Sequence, residues 1–226
     1  MGEREACAAA RMWRSACASL AADAALTEAA WARLVASAPS DHVWHSLRNC
    51  VAYQAGIWQE LQLQGMGAVT YPEAFQLAMA LRHTPASLVP ALLTQVLQNH
   101  SLASEMQEYA LSLLSEEDPW ESTACGGDVR GPGTAESAPL RDRRLFADCE
   151  LAVMGAARAQ YDAHAALVRA EYAHLARRAY VQLRVKILSQ FSQIPKLYHS
   201  PEFARFEASA RENIQREISN LTETAQ

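Results

Sequence analysis

The sequence predicts an all-α fold. Alanine, the residue with the highest intrinsic helix propensity, is abundant, while glycine and proline number nine each in 226 residues. No stretch shows the apolar–polar alternation of a half-buried strand. Residues 145–218 carry an almost unbroken helical pattern, which opens on two carboxylates, Asp148 and Glu150. The length suits one domain, or one domain with an appendage, and half of the residues are hydrophobic, enough for a sizeable core. The expected division is a set of N-terminal helices over 1–38 and a helical domain over 39–226.

In chain order, residues 3–20 should form a helix with Met12, Trp13, Cys17 and Leu20 on one face. A second should span 27–37, with Thr27 as N-cap and Trp31, Leu34 and Val35 inward. Pro39 ends it. A third should start at Ser40 or Asp41 and run to residue 64, with Trp44, Leu47, Val51, Ile57 or Trp58, and Leu61 inward; Gly65 and Gly67 stop it. Its first turns carry His42, His45, Arg48 and Asn49, and residues 45 and 49 would share a face. Pro72 fits the first turn of a fourth helix, striped by Phe75, Leu77, Ala78 and Leu81 and ending in Arg82-His83-Thr84-Pro85. Pro90 opens another, and Ser101 or Leu102 the next, with Leu102, Met106, Tyr109, Leu113 and Leu114 inward. Residues 118–142, with Gly126-Gly127 and Gly131-Pro132-Gly133, break the pattern and are expected to be a mobile or inserted loop, the least ordered internal segment. A short helix around Asp148, a long C-terminal helix over 156–191, a break at 195–201 and a last helix to residue 221 complete the prediction.

The formal net charge of −5 argues against non-specific nucleic-acid binding, which needs a basic face to neutralise phosphates. No window approaches the ~18 consecutive apolar residues of a membrane span. Five cysteines, Cys7, Cys17, Cys50, Cys125 and Cys149, are widely spaced with no C-x-x-C, so buried thiols in a reducing compartment are expected. The N-terminus lacks a signal-peptide core. Arg4, Arg11 and Arg14 among Ala and Ser suit a mitochondrial presequence while Glu3 and Glu5 do not, so an intracellular site is expected, with cytoplasm and mitochondrion both open.

Taken alone, His45, His83 and Asp148 say little. A lone histidine on a helix is most often packed or solvated, and Asp148 and Glu150 suit the start of a helix, where negative charge complements the macrodipole. Together, however, FADCELAVMGA from Phe146, Tyr161, the VRAEYA segment at 168–173, Arg184, Leu188 and Phe191, and ARENIQREI at 210–218 form a longer pattern. Over about 75 residues this order and spacing resembles the C-terminal half of the HD-domain family of metal-dependent phosphohydrolases, which reads F-L-D-x-D-L-x-I-L-G, then R-x-E-Y, then A-R-x-N-L-x-x-E-L. The N-terminal half matches less closely. The family's Y-H-x-L-x-H stands here as Trp44-His45-Ser46-Leu47-Arg48-Asn49, and its W-F-H-D as Leu81-Arg82-His83-Thr84.

The resemblance implies an HD-domain-like helical bundle. It also implies a vestigial metal site of His45, His83 and Asp148, with His42, Arg48, Asn49, Arg82, Thr84, Glu150 and Arg184 as neighbours. In such a site a divalent ion polarises a phosphoryl oxygen and generates the hydroxide nucleophile. Thr84, in place of the doublet's Asp, is neutral and a poor ligand, and Arg82 adds a positive charge beside the ion's position. The expectation is therefore a protein more suited to binding than to catalysis, with no cofactor, acting as a protein-binding or structural subunit of an assembly. A second copy of the chain is a further partner left open. In the alternative, His45, His83 and Asp148 hold Mn, Fe, Mg or Zn, and the chain hydrolyses a nucleotide or small phosphate ester, with Lys186, Arg184 or Arg169 neutralising phosphate. Without a metal, Asp148 or Glu150 should pair with Arg82, Arg48 or Arg184, Arg82 first. Trp13 and Trp31 are candidates either for an interface or for simple packing on the bundle.

Overall fold

A computed structural model describes residues 6–115 and 138–223, with side chains from residue 8 onward. The fold is all-α, and no strand occurs among the described residues. The helices are α1 Ala6–Ser19, α2 Ala24–Ala36, α3 Cys50–Leu63, α4 Pro72–Leu81, α5 Val89–Leu97, α6 Ala103–Leu114, α7 Leu140–Leu151, α8 Arg158–Glu171, α9 Arg177–Gln193 and α10 Glu207–Glu223. Two 3₁₀ segments, Ala152–Gly155 and Pro201–Phe206, follow α7 and precede α10. No helix among the described residues is long and apolar enough to cross a membrane.

The bundle is built around α4. Its residues 74, 75 and 77–81 are all buried, because an apolar sequence on every side has no face to give to solvent. α1 packs on α4 and α3, α6 packs on α4, and α2 and α6 pack on α5. α10 packs on α9 and on the Ala152–Gly155 segment. One continuous core joins Trp13 of α1 to Phe75, Tyr109, Tyr161, Tyr198 and Ile214. Trp13 is fully buried, lies 6.0 Å from the half-buried Trp31 and donates to the Thr27 carbonyl, so packing rather than an exposed interface explains it. Cys17, Cys50 and Cys149 are buried free thiols.

Several boundaries differ from the sequence reading. α2 begins a turn early because Asp23, not Thr27, is its N-cap: the Asp23 carboxylate accepts from Leu26 N at 2.9 Å, and Thr27 is buried inside the helix. Val35 and Leu102, expected inward, are 49% and 41% exposed. The largest correction concerns residues 40–49, which are not helical. Here polar side chains take the backbone groups that a helix would have used. Ser46 Oγ and Asn49 Nδ2 both donate to the Val43 carbonyl, and Glu171 accepts from the N–H groups of Val43 and His45. His45 and Asn49 therefore do not share a helix face.

The expected long helix over 156–191 is instead two, α8 and α9, separated at residues 172–176. Arg169 caps this break, donating to the carbonyls of Tyr172 at 2.7 Å and Leu175 at 3.3 Å. Of the predicted loop over 118–142, residues up to 137 lie outside the described residues. At its other end the prediction overshoots, because α7 starts at Leu140 and holds Asp142 buried against Thr70 N and Tyr109 OH, both at 2.8 Å. Gly65 and Gly67 terminate α3 as expected, with φ of 65° and 74°.

Candidate functional site

Three elements bring the candidate residues together. The irregular segment after α2 carries His42 and His45, the end of α4 carries Arg82 and His83, and α7 carries Asp148 and Glu150. The His45 and His83 rings lie 5.2 Å apart, and those of His42 and His45 lie 6.4 Å apart. Of the two α7 carboxylates, the one beside this group is Glu150, which pairs with Arg82 Nε as expected; Arg82 Nη1 also reaches the Leu114 carbonyl at 3.4 Å. Burial pushes the Glu150 carboxyl above its ordinary value, against the pull of Arg82 and His45.

Asp148 is used differently. It is fully buried, and its carboxylate accepts from His199 N at 3.0 Å, Ser200 N at 2.6 Å and Ser200 Oγ at 2.5 Å. It thereby ties α7 to the turn that leads into Pro201–Phe206. Burial raises its carboxyl, while the hydrogen bonds from Ser200 and His199 pull it down.

His45 has its own carboxylate. Its Nδ1 lies 2.6 Å from Glu171 Oε1, and Glu171 Oε2 accepts from Val43 N at 2.9 Å and His45 N at 3.0 Å. Burial alone would raise Glu171, but these bonds outweigh it and hold the carboxyl below its ordinary value. Glu171 was not singled out as a site residue from the sequence. The signal for it was its place in R-x-E-Y, immediately before the break between α8 and α9.

The remaining candidates have other partners, although Thr84 borders His45 and His83 and Arg184 shares a cavity lining with His45 and Glu150. Arg48 is exposed, Asn49 bonds the Val43 carbonyl, and the Thr84 backbone N–H closes a turn on Leu81 at 2.9 Å. Arg184 pairs with Glu217, Arg169 caps α8, and Lys186 is exposed. The donors do not fit a divalent ion. Asp148 is sealed by three donors, Arg82 holds Glu150, and no group of three or more His, Cys, Asp or Glu side chains among the described residues is arranged to bind one. Comparison with family models, curated proteins and solved structures gave no match.

Next to this group lies a cavity of about 210 Å³, lined by Trp44, His45, Glu150 and His164, by apolar side chains of α8 and α9, and by Arg184. His164 is 5% exposed, its ring centroid is 4.3 Å from that of Trp44, and neither of its nitrogens has a hydrogen-bond partner. Burial, with Arg184 next, depresses this imidazole to about 3. His83 falls to about 4, mainly through burial and then through His45 and Arg82.

Acid should therefore destabilise the fold. Both histidines take up a proton near 6.5 when unfolded and resist it when folded, so the stability they contribute is complete above 6.5. It is lost as pH falls from there toward 4 and 3, by about 1.4 kcal/mol per pH unit for each group. Glu171 adds to the loss at lower pH, whereas Asp148 and Glu150, both raised, oppose it. The His164→Phe protein isolates one contribution. Denaturant unfolding at pH 7 and pH 5 should show a drop about 2 kcal/mol smaller in His164→Phe than in the parent. Equal drops would mean that His164 protonates freely in the folded state.

Proposed function

We propose that this chain is an HD-domain-like helical protein without phosphohydrolase chemistry, acting as a protein-binding or structural subunit of an assembly. The observation that carries this reading is the Arg82–Glu150 pair beside His45 and His83. A guanidinium held in that group repels a divalent cation and occupies the carboxylate that could have bound one. A second support comes from the residues that carry the family resemblance. Asp148, Glu171, Arg184, Asn213 and Glu217 are all engaged in holding backbone or each other, so the motif pattern serves chain path rather than chemistry.

Protein purified without chelator should carry less than ~0.2 transition-metal ions per chain by elemental analysis, a threshold well below the occupancy of a working metal site. It should leave a panel of nucleotides and small phosphate esters unhydrolysed and co-purify stoichiometrically with another chain from its own cells. Near-stoichiometric iron, manganese or zinc, lost in His45→Ala or Asp148→Ala protein together with phosphatase activity, would replace this reading with the metal-dependent one.

A further inference from the structure

We propose that the cavity bordered by Trp44, α8 and α9 binds a compact, uncharged aromatic molecule bearing one hydroxyl or ring N–H. This goes beyond the reading above and is independent of it.

Size limits the ligand first. An apolar cavity of about 150 Å³ holds a benzene ring, so about 210 Å³ accommodates one small ring system inside the walls. The walls decide its character. Met154, Val168, Tyr172, Ile187 and Phe191 join Trp44 in presenting mostly carbon, which favours a flat apolar body.

Charge is then argued by elimination. Each ionisable group of the lining other than His164 and the two tyrosines already has an opposite partner: Glu150 has Arg82, His45 has Glu171, and Arg184 has Glu217. A charged ligand would lose its hydration and would have to compete with one of these pairs for a counter-charge. A neutral ligand does neither.

His164 supplies the polar preference. It borders the cavity, is 5% exposed, and both of its ring nitrogens are buried without a partner. A neutral imidazole carries one donor and one acceptor. A hydroxyl can serve either nitrogen, because it both donates and accepts. Leaving a buried polar group unbonded is unfavourable, and a ligand that turns the His164 ring from its packing on Trp44 and Tyr161, so that one nitrogen meets the cavity, recovers part of that loss.

Isothermal titration with three probes tests the inference on the unaltered protein: 2-naphthol, naphthalene and 2-naphthyl phosphate. 2-Naphthol should bind about tenfold more tightly than naphthalene, the ratio expected of one buried hydrogen bond, and 2-naphthyl phosphate should bind most weakly. In His164→Phe protein, shown to be folded by its circular dichroism and melting curve, the advantage of 2-naphthol over naphthalene should disappear. Val168→Phe, which fills the cavity, should weaken both. If 2-naphthol fails to bind, or prefers the site equally in His164→Phe, the proposed recognition is wrong. Tightest binding by 2-naphthyl phosphate would overturn it in favour of an anion site and would reopen the phosphohydrolase reading.

Discussion

Replacing Arg184 by leucine should cost about 3–5 kcal/mol of unfolding free energy, the usual loss when one partner of a buried ion pair is removed. Arg184 and Glu217 are each 8% exposed. Arg184 donates through Nε to Glu217 Oε1 at 2.8 Å and through Nη2 to Oε2 at 3.0 Å, and Tyr161 OH completes the carboxylate at 2.5 Å. Without the guanidinium, Glu217 keeps a single neutral donor in a place that water hardly reaches. It must then either hold an unmatched charge or take up a proton. The Arg184→Leu/Glu217→Leu double variant should recover most of the loss, because it leaves neither charge behind. Denaturant unfolding of the parent, the single variant and the double variant measures both statements. A single-variant loss below ~1 kcal/mol would put this pair in the class of solvent-screened surface bridges.

Gly155→Ala should cost about 3 kcal/mol, at the upper end of ordinary overpacking. A Cβ at residue 155 would lie 2.6 Å from Phe206 Cβ and 2.7 Å from the Phe206 carbonyl oxygen. Neither atom is the end of a flexible side chain, so the two 3₁₀ segments would have to separate. Their positions are held elsewhere: Asn213 of α10 donates to the carbonyls of Met154 at 3.0 Å and Ala156 at 2.9 Å. Gly56→Ala is the internal control. It lies within α3, and a Cβ there would meet nothing within 4 Å. That change should stabilise by about 0.5–1 kcal/mol, the helix-propensity gain of alanine over glycine. Thermal melts of the two variants should therefore move in opposite directions, and a common direction would contradict the packing described for Gly155.

The helical class and most element positions were legible because α4 and α5 are marked by proline starts, and these two together with α6 and α10 by apolar spacing that local physics reads directly. Residues 40–49 were misread for the opposite reason. Their apolar spacing suits a helix, but Glu171, 126 residues away from His45, takes the backbone N–H groups. The split between α8 and α9 was similarly hidden, since Arg169 ends α8 without any proline or glycine at the break. At the site, the pairing of Arg82 with Glu150 could be anticipated because unlike charges near a group of imidazoles have few other ways to be neutralised. The role of Asp148 could not, because two of its three donors are backbone N–H groups of His199 and Ser200, which every residue but proline possesses, and the third is the Ser200 hydroxyl, 52 residues away.

The bond between Glu171 and the segment around His45 joins parts of the chain that are synthesised far apart in time. Val43 and His45 are fixed by a carboxylate that follows them by 128 and 126 residues. During synthesis, Trp44 and its neighbours leave the ribosome long before their anchor exists. Closure of that span is a long-range contact, of the kind that lowers folding rates through the entropy of loop closure. A chain that stops short of residue 171 would lack the carboxylate that fixes the backbone on either side of Trp44.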